Sequence, residues 1–301
     1  GVLDDAEEPQ LAHVATDGES YGHHHRHGDM ALAYCLHRIE TNEEAELTIY
    51  GEYLANHSPR YEVKVFENSS WSCAHGVERW RADCGCNSGG KPHWHQGWRA
   101  PLRGALDWLS ENMAHVFEQE GARYMKDPWR GRDAYIGTIL DRSRPLEESA
   151  LAGNATVELQ PEDRVRLTKL LEMQRHAMLM YTSCGWFFDE ISGIETVQVI
   201  QYAARAIQLA REVSGVSLED TFRELLSRAP SNVPELADGK TVYDRFVAPT
   251  VLDFARVGAH FAVSSLFEQY AERTEIYCYT ADLNSLRREE RGGNTLSMGK
   301  A

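Results

Sequence analysis

The stretch LRGALDWLSENMAHVF, residues 102–117, places an apolar side chain at every third or fourth position. This spacing follows one face of an α-helix and predicts a helix that buries a continuous apolar stripe. The members of the stripe are Leu102, Leu106, Leu109, Met113, Val116 and Phe117. A second helix is predicted from Pro161 to about Tyr181, since proline suits the first turn of a helix. With the apolar stripes that follow, the sequence predicts a helical bundle domain over residues 97–272.

The residues before the bundle have a different pattern. Residues 11–16 (LAHVAT) are typical of a short buried strand, and residues 61–66 (YEVKVF) alternate between polar and apolar side chains as a strand does. Helices are predicted between them, at about 28–38 and 42–56. This alternation of strand and helix predicts that residues 1–68 are part of an α/β unit.

Two further segments complete the predicted organisation. Residues 69–96 form an irregular segment rich in Trp, Cys and His, and residues 273–301 a short β tail. Within the tail we expect a strand over residues 275–282 and a hairpin in REERGGNTL, residues 288–296. The predicted fold class is therefore α/β and then mainly α.

The overall charge excludes several classes of protein. The 301 residues contain 31 Lys and Arg against 46 Asp and Glu, a formal net charge of -15. Such an acidic chain repels phosphate backbones and anionic lipid, which argues against nucleic-acid and membrane partners. The opening GVLDDAEEPQ lacks both an initiator Met and the apolar segment of a signal peptide. We therefore expect a piece of a longer cytoplasmic protein, of unknown oligomeric state.

The first segment with candidate catalytic residues contains Asp17 and Glu19, followed by a run of histidines that includes His23 and His24. Two carboxylates at the end of a strand, beside imidazoles, have the residue types that proton transfer requires. The alternative is a solvated turn without a catalytic role.

The second segment, SSWSCAHGVERWRADCGCNSGGKPHWHQGW at residues 69–98, has almost no aliphatic residue and needs something other than a core to hold it. Cys73, His75, Cys84 and Cys86 offer the thiolates and imidazole that zinc prefers, although their spacing is tighter than the usual zinc knuckle. Reduced, packed cysteines without a metal are the alternative, and they are the favoured one. The tryptophans also suit a sugar-binding rim.

The third segment, YTSCGWFFDEISGIET at residues 181–196, combines two carboxylates with a glycine that interrupts a helical pattern. Gly185 indicates a close approach of the backbone to a ligand or to another element. Asp189 and Glu190 are candidates for acid/base work. The favoured alternative is that they cap the next helix, whose N-terminus attracts negative charge.

Together these segments resemble a known family. ATDGESYGHH and ENSSWSCAHGVERW are similar to the fourth and fifth motifs of glycoside hydrolase family 57, and TSCGWFFDE is similar to the Ser-x-Trp helix of its C-terminal bundle. The middle of the chain, from Trp71 to about Ala210, resembles the helical domain of unknown function 3536 that follows the family's barrel. The resemblance implies the C-terminal edge of a seven-stranded β/α barrel followed by that helical domain.

The resemblance also implies a function and its residues. The implied function is a retaining enzyme acting on α-glucans, with Asp17 as the general acid/base and an oligosaccharide or polysaccharide as partner. Glu19, His23 and His24 would contact substrate, as would Trp71, His75 and Trp186. No segment matches the family's nucleophile, so this chain alone is expected to be inactive, because retention needs two carboxyl groups about 5–5.5 Å apart. No cofactor is required.

Other hypotheses remain open beside this one. The chain could be a non-catalytic helical ligand-binding or regulatory module in which metal bound by Cys73, His75, Cys84 and Cys86 stabilises the Cys/His segment. A deacetylase-like metal enzyme, with Asp17, His23 and His27 as ligands, ranks below both. Elemental analysis separates the enzyme from the metal-stabilised module.

Overall fold

The computed structural model describes residues 10–276 and 279–301. The described residues form two compact units, one ending at Phe66 and the other beginning at Glu67. Tyr277 and Cys278, which fall within the predicted strand 275–282, lie outside the described residues.

The first unit contains two helices, α1 (Gly28–Thr41) and α2 (Tyr50–Asn56). The strands predicted at 11–16 and 61–66 are wrong, because both stretches lack a paired strand in the described part of this unit. A strand is stabilised by hydrogen bonds to its neighbour, and residues 10–66 supply no such neighbour. The seven-stranded barrel implied by the resemblance is therefore not seen in these residues. None of residues 10–66 is buried.

The second unit is mainly helical, as predicted. Its helices are α3 (Arg99–Gly121), α4 (Pro128–Ala134), α5 (Ile136–Leu140), α6 (Pro161–Leu179), α7 (Ile194–Ser214), α8 (Glu219–Leu226), α9 (Gly239–Val242) and α10 (Phe254–Ser264). A π-helical turn, Tyr243–Val247, extends α9.

The bundle is built around α3, and the apolar stripe of this helix lies in the core of the bundle. All six predicted stripe residues are buried, and α3 packs against α6, α7 and α8. Helix α6 begins at Pro161 as predicted, and a capping box between Gln160 and Asp163 satisfies backbone groups of its first turn. Helices α6 and α7 pack along their lengths. The apolar periodicity therefore identified the core correctly.

The chain ends in two antiparallel hairpins. Strands β1 (Arg273–Ile276) and β2 (Tyr279–Asp282) replace the single strand predicted over 275–282. Strands β3 (Ser285–Arg291) and β4 (Asn294–Lys300) pair through Gly292 and Gly293, which confirms the predicted hairpin.

The described residues contain no single helix with both the length and the apolar composition of a membrane span. One bent pair, 239–250 with 254–264, meets those two criteria jointly.

Candidate metal centre

The acidic and histidine residues predicted near the N-terminus lie in an exposed turn. Asp17, Glu19, His23 and His24 are all exposed, with Glu19 Oε1 3.8 Å from His24 Nε2. The imidazole rings of His23 and His24 meet edge to face at 5.1 Å. These four side chains form no metal-binding cluster among the described residues, and their proposed roles stay predictions.

The two tryptophans assigned to sugar subsites have opposite environments. Trp71 is 84% exposed and offers its ring to solvent. Trp186 is 1% exposed and packs in the bundle core, because the turn Ser183–Trp186 folds against α7. The ring of Trp186 therefore has no face open to solvent in this structure, and its proposed contact with substrate stays a prediction.

Residues 69–98 have little regular structure, and their turns depend on two glycines. Gly76 has φ +80° and lies where a Cβ would overlap the backbone oxygen of Asn68. Gly85, between Cys84 and Cys86, has φ +79°. Positive φ favours glycine because it has no Cβ. These turns fold the segment back so that residues eleven to thirteen positions apart meet.

The residues that meet are Cys73, His75, Cys84 and Cys86. Cys73 Sγ lies 3.9 Å from Cys84 Sγ and 3.8 Å from Cys86 Sγ, and Cys86 Sγ lies 3.6 Å from His75 Nδ1. One donor atom from each residue falls within 4.8 Å of all the others. The tight Cys-x-His and Cys-x-Cys spacing therefore does not keep the four ligands apart, contrary to the sequence-based objection.

These distances fit tetrahedral zinc. Zn–S and Zn–N bonds of about 2.3 and 2.05 Å give tetrahedral edges of about 3.8 Å between two sulfurs and about 3.6 Å between sulfur and nitrogen. The two sulfur–sulfur separations of 3.9 and 3.8 Å and the sulfur–nitrogen separation of 3.6 Å agree with these values. Four protein ligands complete the coordination, as in structural zinc sites. The cluster can therefore hold a metal without an open position.

The lowered pKa of Cys73 also favours metal binding. Burial raises the pKa of Cys73, but hydrogen bonds from the backbone N–H groups of Arg79 and His75 and from the other two thiols outweigh burial and lower this pKa to about 6. Burial raises the pKa of Cys84, and the neighbouring sulfurs add to that effect. A metal takes the thiolate form, so Cys73 is ready to bind and Cys84 must release a proton on binding.

The segment is attached to the helical bundle through Asp189. Its carboxylate accepts hydrogen bonds from Ser88 N at 3.0 and 3.2 Å and from Ser88 Oγ at 2.8 Å. Its backbone oxygen accepts from Trp98 Nε1 at 3.2 Å. Trp80 Nε1 donates to the backbone oxygen of Ser183 at 3.0 Å. Asp189 therefore serves as an anchor for the segment.

Glu190 has a similar structural role toward a different loop. Its carboxylate accepts from Ser231 Oγ and, at 2.7 Å, from Asn232 N. Asn232 in turn bridges to His95 through its side-chain oxygen and nitrogen at 3.1 and 2.8 Å. Glu190 Oε1 also accepts from Ser192 N at 3.3 Å, just before α7, but the N-cap position of α7 is Gly193 and the first turn has no side-chain cap. The expected helix-cap role is therefore wrong, and both groups hold loops together.

Sequence reasoning missed Ser88, Asn232 and Arg99, which hold residues 69–98 against the bundle. Arg99 Nη1 donates to the backbone oxygen of Cys86 at 2.9 Å. Burial lowers the pKa of Arg99, while the charge of Cys84 opposes that effect. The sequence shows only that Arg99 follows Gly97 and Trp98. Its burial, which makes it part of the site, is seen only in the folded chain.

Gly185 approaches another element, which is one of the two alternatives that its sequence context indicated. A Cβ at Gly185 would overlap Val199 Cγ2 on α7. We expect Gly185→Ala to lower the free energy of unfolding by about 1–3 kcal/mol through overpacking. Chemical denaturation measures this. As the matched control, Gly104→Ala in α3 meets nothing within 4 Å and should stabilise by about 0.5–1 kcal/mol. Equal effects at the two positions would contradict the packing explanation.

The fold and the site define a helical bundle domain preceded by a Cys/His cluster. Residues 94–301 match the family described as Domain of unknown function (DUF3536), and the chain belongs to this family. No curated protein and no solved structure matches the chain. The four candidate ligands lie before the matched region, whereas their anchors Trp98, Asp189 and Asn232 lie within it.

Proposed function

We propose that this chain is a helical binding module in which one zinc ion, held by Cys73, His75, Cys84 and Cys86, stabilises residues 69–98. The observation that carries the proposal is the convergence of the four donor atoms within 4.8 Å, with three of their separations at 3.6–3.9 Å. Three thiolates and one imidazole form a donor set that suits zinc better than hard, oxygen-seeking cations.

The physical role of the metal follows from what the segment lacks. Only Cys73, Arg79, Gln96 and Trp98 of residues 69–98 are buried, so the segment has almost no apolar core. Binding energy at a structural zinc site contributes directly to folding. The metal would therefore fix the loop and, with it, the backbone that presents the exposed ring of Trp71. A rigid aromatic side chain on a polar loop suits recognition of a ligand or partner.

The glycan-active enzyme remains a prediction beside this proposal. It rests on motif resemblance, with Asp17 as the acid/base and an α-glucan as substrate. Asp17 and Trp71 are both exposed to solvent, which is compatible with this hypothesis. The metal-stabilised module has the stronger support, because the convergence of Cys73, His75, Cys84 and Cys86 agrees with the chemistry it requires.

Elemental analysis of the chain tests the proposal. We expect about one zinc per chain after purification without chelators, because four ligands complete one site. Cys84→Ser removes one ligand and should lower the zinc content to well below half. Cys184→Ser is the matched control, since Cys184 is an exposed cysteine outside the cluster. Zinc absent from the wild type after zinc addition, or equal content in the two variants, would overturn the proposal.

A further inference from the structure

Two buried arginines lie next to the candidate metal centre. Arg99 is 0% exposed and Arg79 is 4% exposed. The guanidinium of Arg99 donates to the backbone oxygens of Cys86, Phe187 and Phe188, at 2.9, 3.5 and 3.4 Å. It thus links the Cys84–Cys86 turn to the loop that precedes α7.

Arg79 is held by a similar set of neutral groups. Its Nη2 donates to the backbone oxygen of Asn87 at 3.3 Å, and its Cζ lies 4.4 Å from the ring centroid of Phe187. Its backbone N–H donates to Cys73 Sγ. In the described part of the chain, neither Arg79 nor Arg99 forms an ion pair with a carboxylate, and the Nε atom of each lacks a hydrogen-bond partner.

This arrangement is costly unless negative charge lies nearby. A buried cation without a paired anion loses its hydration. Arg99 is also the first residue of α3, where the helix dipole is positive and disfavours a cation. Among the charged groups that act on Arg99, Asp189 is a buried carboxylate, and Asp83 is exposed to solvent. One buried carboxylate offsets only one of the two guanidinium charges.

We propose that Arg79 and Arg99 are positioning residues that compensate the charge of the metal centre. A divalent ion with three thiolates and a neutral imidazole carries one net negative charge. That charge, together with Asp189, balances the two guanidinium groups. This inference rests on the proposed function, and it adds the reason why two arginines are buried here: they stabilise thiolate ligands and thereby strengthen metal binding.

The first test is zinc affinity, measured by competition with a chromophoric chelator on the full chain. Arg79→Gln removes the charge but keeps the backbone N–H that bonds Cys73, and should weaken zinc binding about tenfold. Arg79→Lys keeps the charge and should recover most of the loss. Arg223→Gln is the matched control, because Arg223 on α8 pairs with Asp244. It should leave zinc affinity unchanged.

The second test separates charge compensation from a merely structural role by varying the charge of the metal. Zn²⁺ and Cd²⁺ give the same net charge with these ligands, whereas Cu⁺ gives a centre that is one unit more negative. Removing the positive charge of Arg79 should therefore weaken the binding of Cu⁺ about tenfold more than it weakens the binding of the divalent ions. Affinities of all three ions are compared in the wild type and in Arg79→Gln, with Cu⁺ measured under anaerobic conditions.

The outcomes distinguish the inference from the proposed function. If the wild type binds zinc but Arg79→Gln and Arg99→Gln bind it equally well, the charge compensation is wrong and the zinc site stands. If the glutamine variants lose affinity equally for Zn²⁺, Cd²⁺ and Cu⁺ and lysine restores nothing, the arginines act only through packing, which overturns the inference. If the wild type binds no metal, the proposed function is overturned, and the inference about the two arginines is overturned with it.

Discussion

Removal of zinc from the wild-type chain is expected to lower its free energy of unfolding by on the order of 5 kcal/mol, since structural zinc sites supply folding energy directly. For a unit of this size the loss corresponds to a fall in Tm of roughly 10–20 °C. The reason is that residues 69–98 have almost no core and depend on the four ligands and on the bonds from Ser88 and Trp80 to the bundle. Melting curves with and without a strong chelator measure the effect.

Controls for this experiment follow from the site. Adding zinc back should restore the original Tm in the wild type but not in Cys84→Ser. Hydrogen exchange should show faster exchange in residues 69–98 of the metal-free chain, with the α3 core still protected. An unchanged Tm and unchanged exchange after confirmed removal of the metal would show that the cysteines pack without needing zinc.

The second large effect is expected for Trp98→Ala. Trp98 is 0% exposed, immediately precedes α3, and donates from Nε1 to the backbone oxygen of Asp189. Truncation leaves a large cavity and removes that hydrogen bond, so we expect a loss of about 3–5 kcal/mol in the free energy of unfolding. Urea denaturation measures the change.

Trp98→Phe is the matched variant, because it keeps an aromatic ring and removes the N–H donor. Its expected cost is about 1–2 kcal/mol, from the lost hydrogen bond and the smaller ring. A loss below 1 kcal/mol for Trp98→Ala would mean that the junction between the Cys/His segment and α3 contributes little to stability.

The helical bundle was largely predictable from the sequence. The stripe from Leu102 to Phe117 and the start of α6 at Pro161 both appear as predicted. These features are local: helical periodicity places apolar side chains on one face, and the bundle buries that face. The hairpin through Gly292 and Gly293 was predictable for the same reason, since a short turn brings its strands together.

The strands predicted before residue 67 were not found, and the reason is physical. An alternating pattern such as Tyr61–Phe66 is compatible with a strand, but a strand forms only when another strand supplies its hydrogen bonds. In the described part of the first unit no such pairing exists. The burial of Trp186 was likewise not predicted, because it depends on packing against α7, which lies later in the chain.

Periodicity and ligand chemistry are local properties, so the helices of the bundle and the residue types of a metal centre can be predicted from the chain alone. The convergence of Cys73, His75, Cys84 and Cys86 within 4.8 Å is seen only in the folded protein. The same is true of the hydrogen bond between Asp189 and Ser88, which are 101 positions apart in the chain. Such contacts depend on how distant segments pack, and the spacing of residues along a chain does not specify the distances between their side chains.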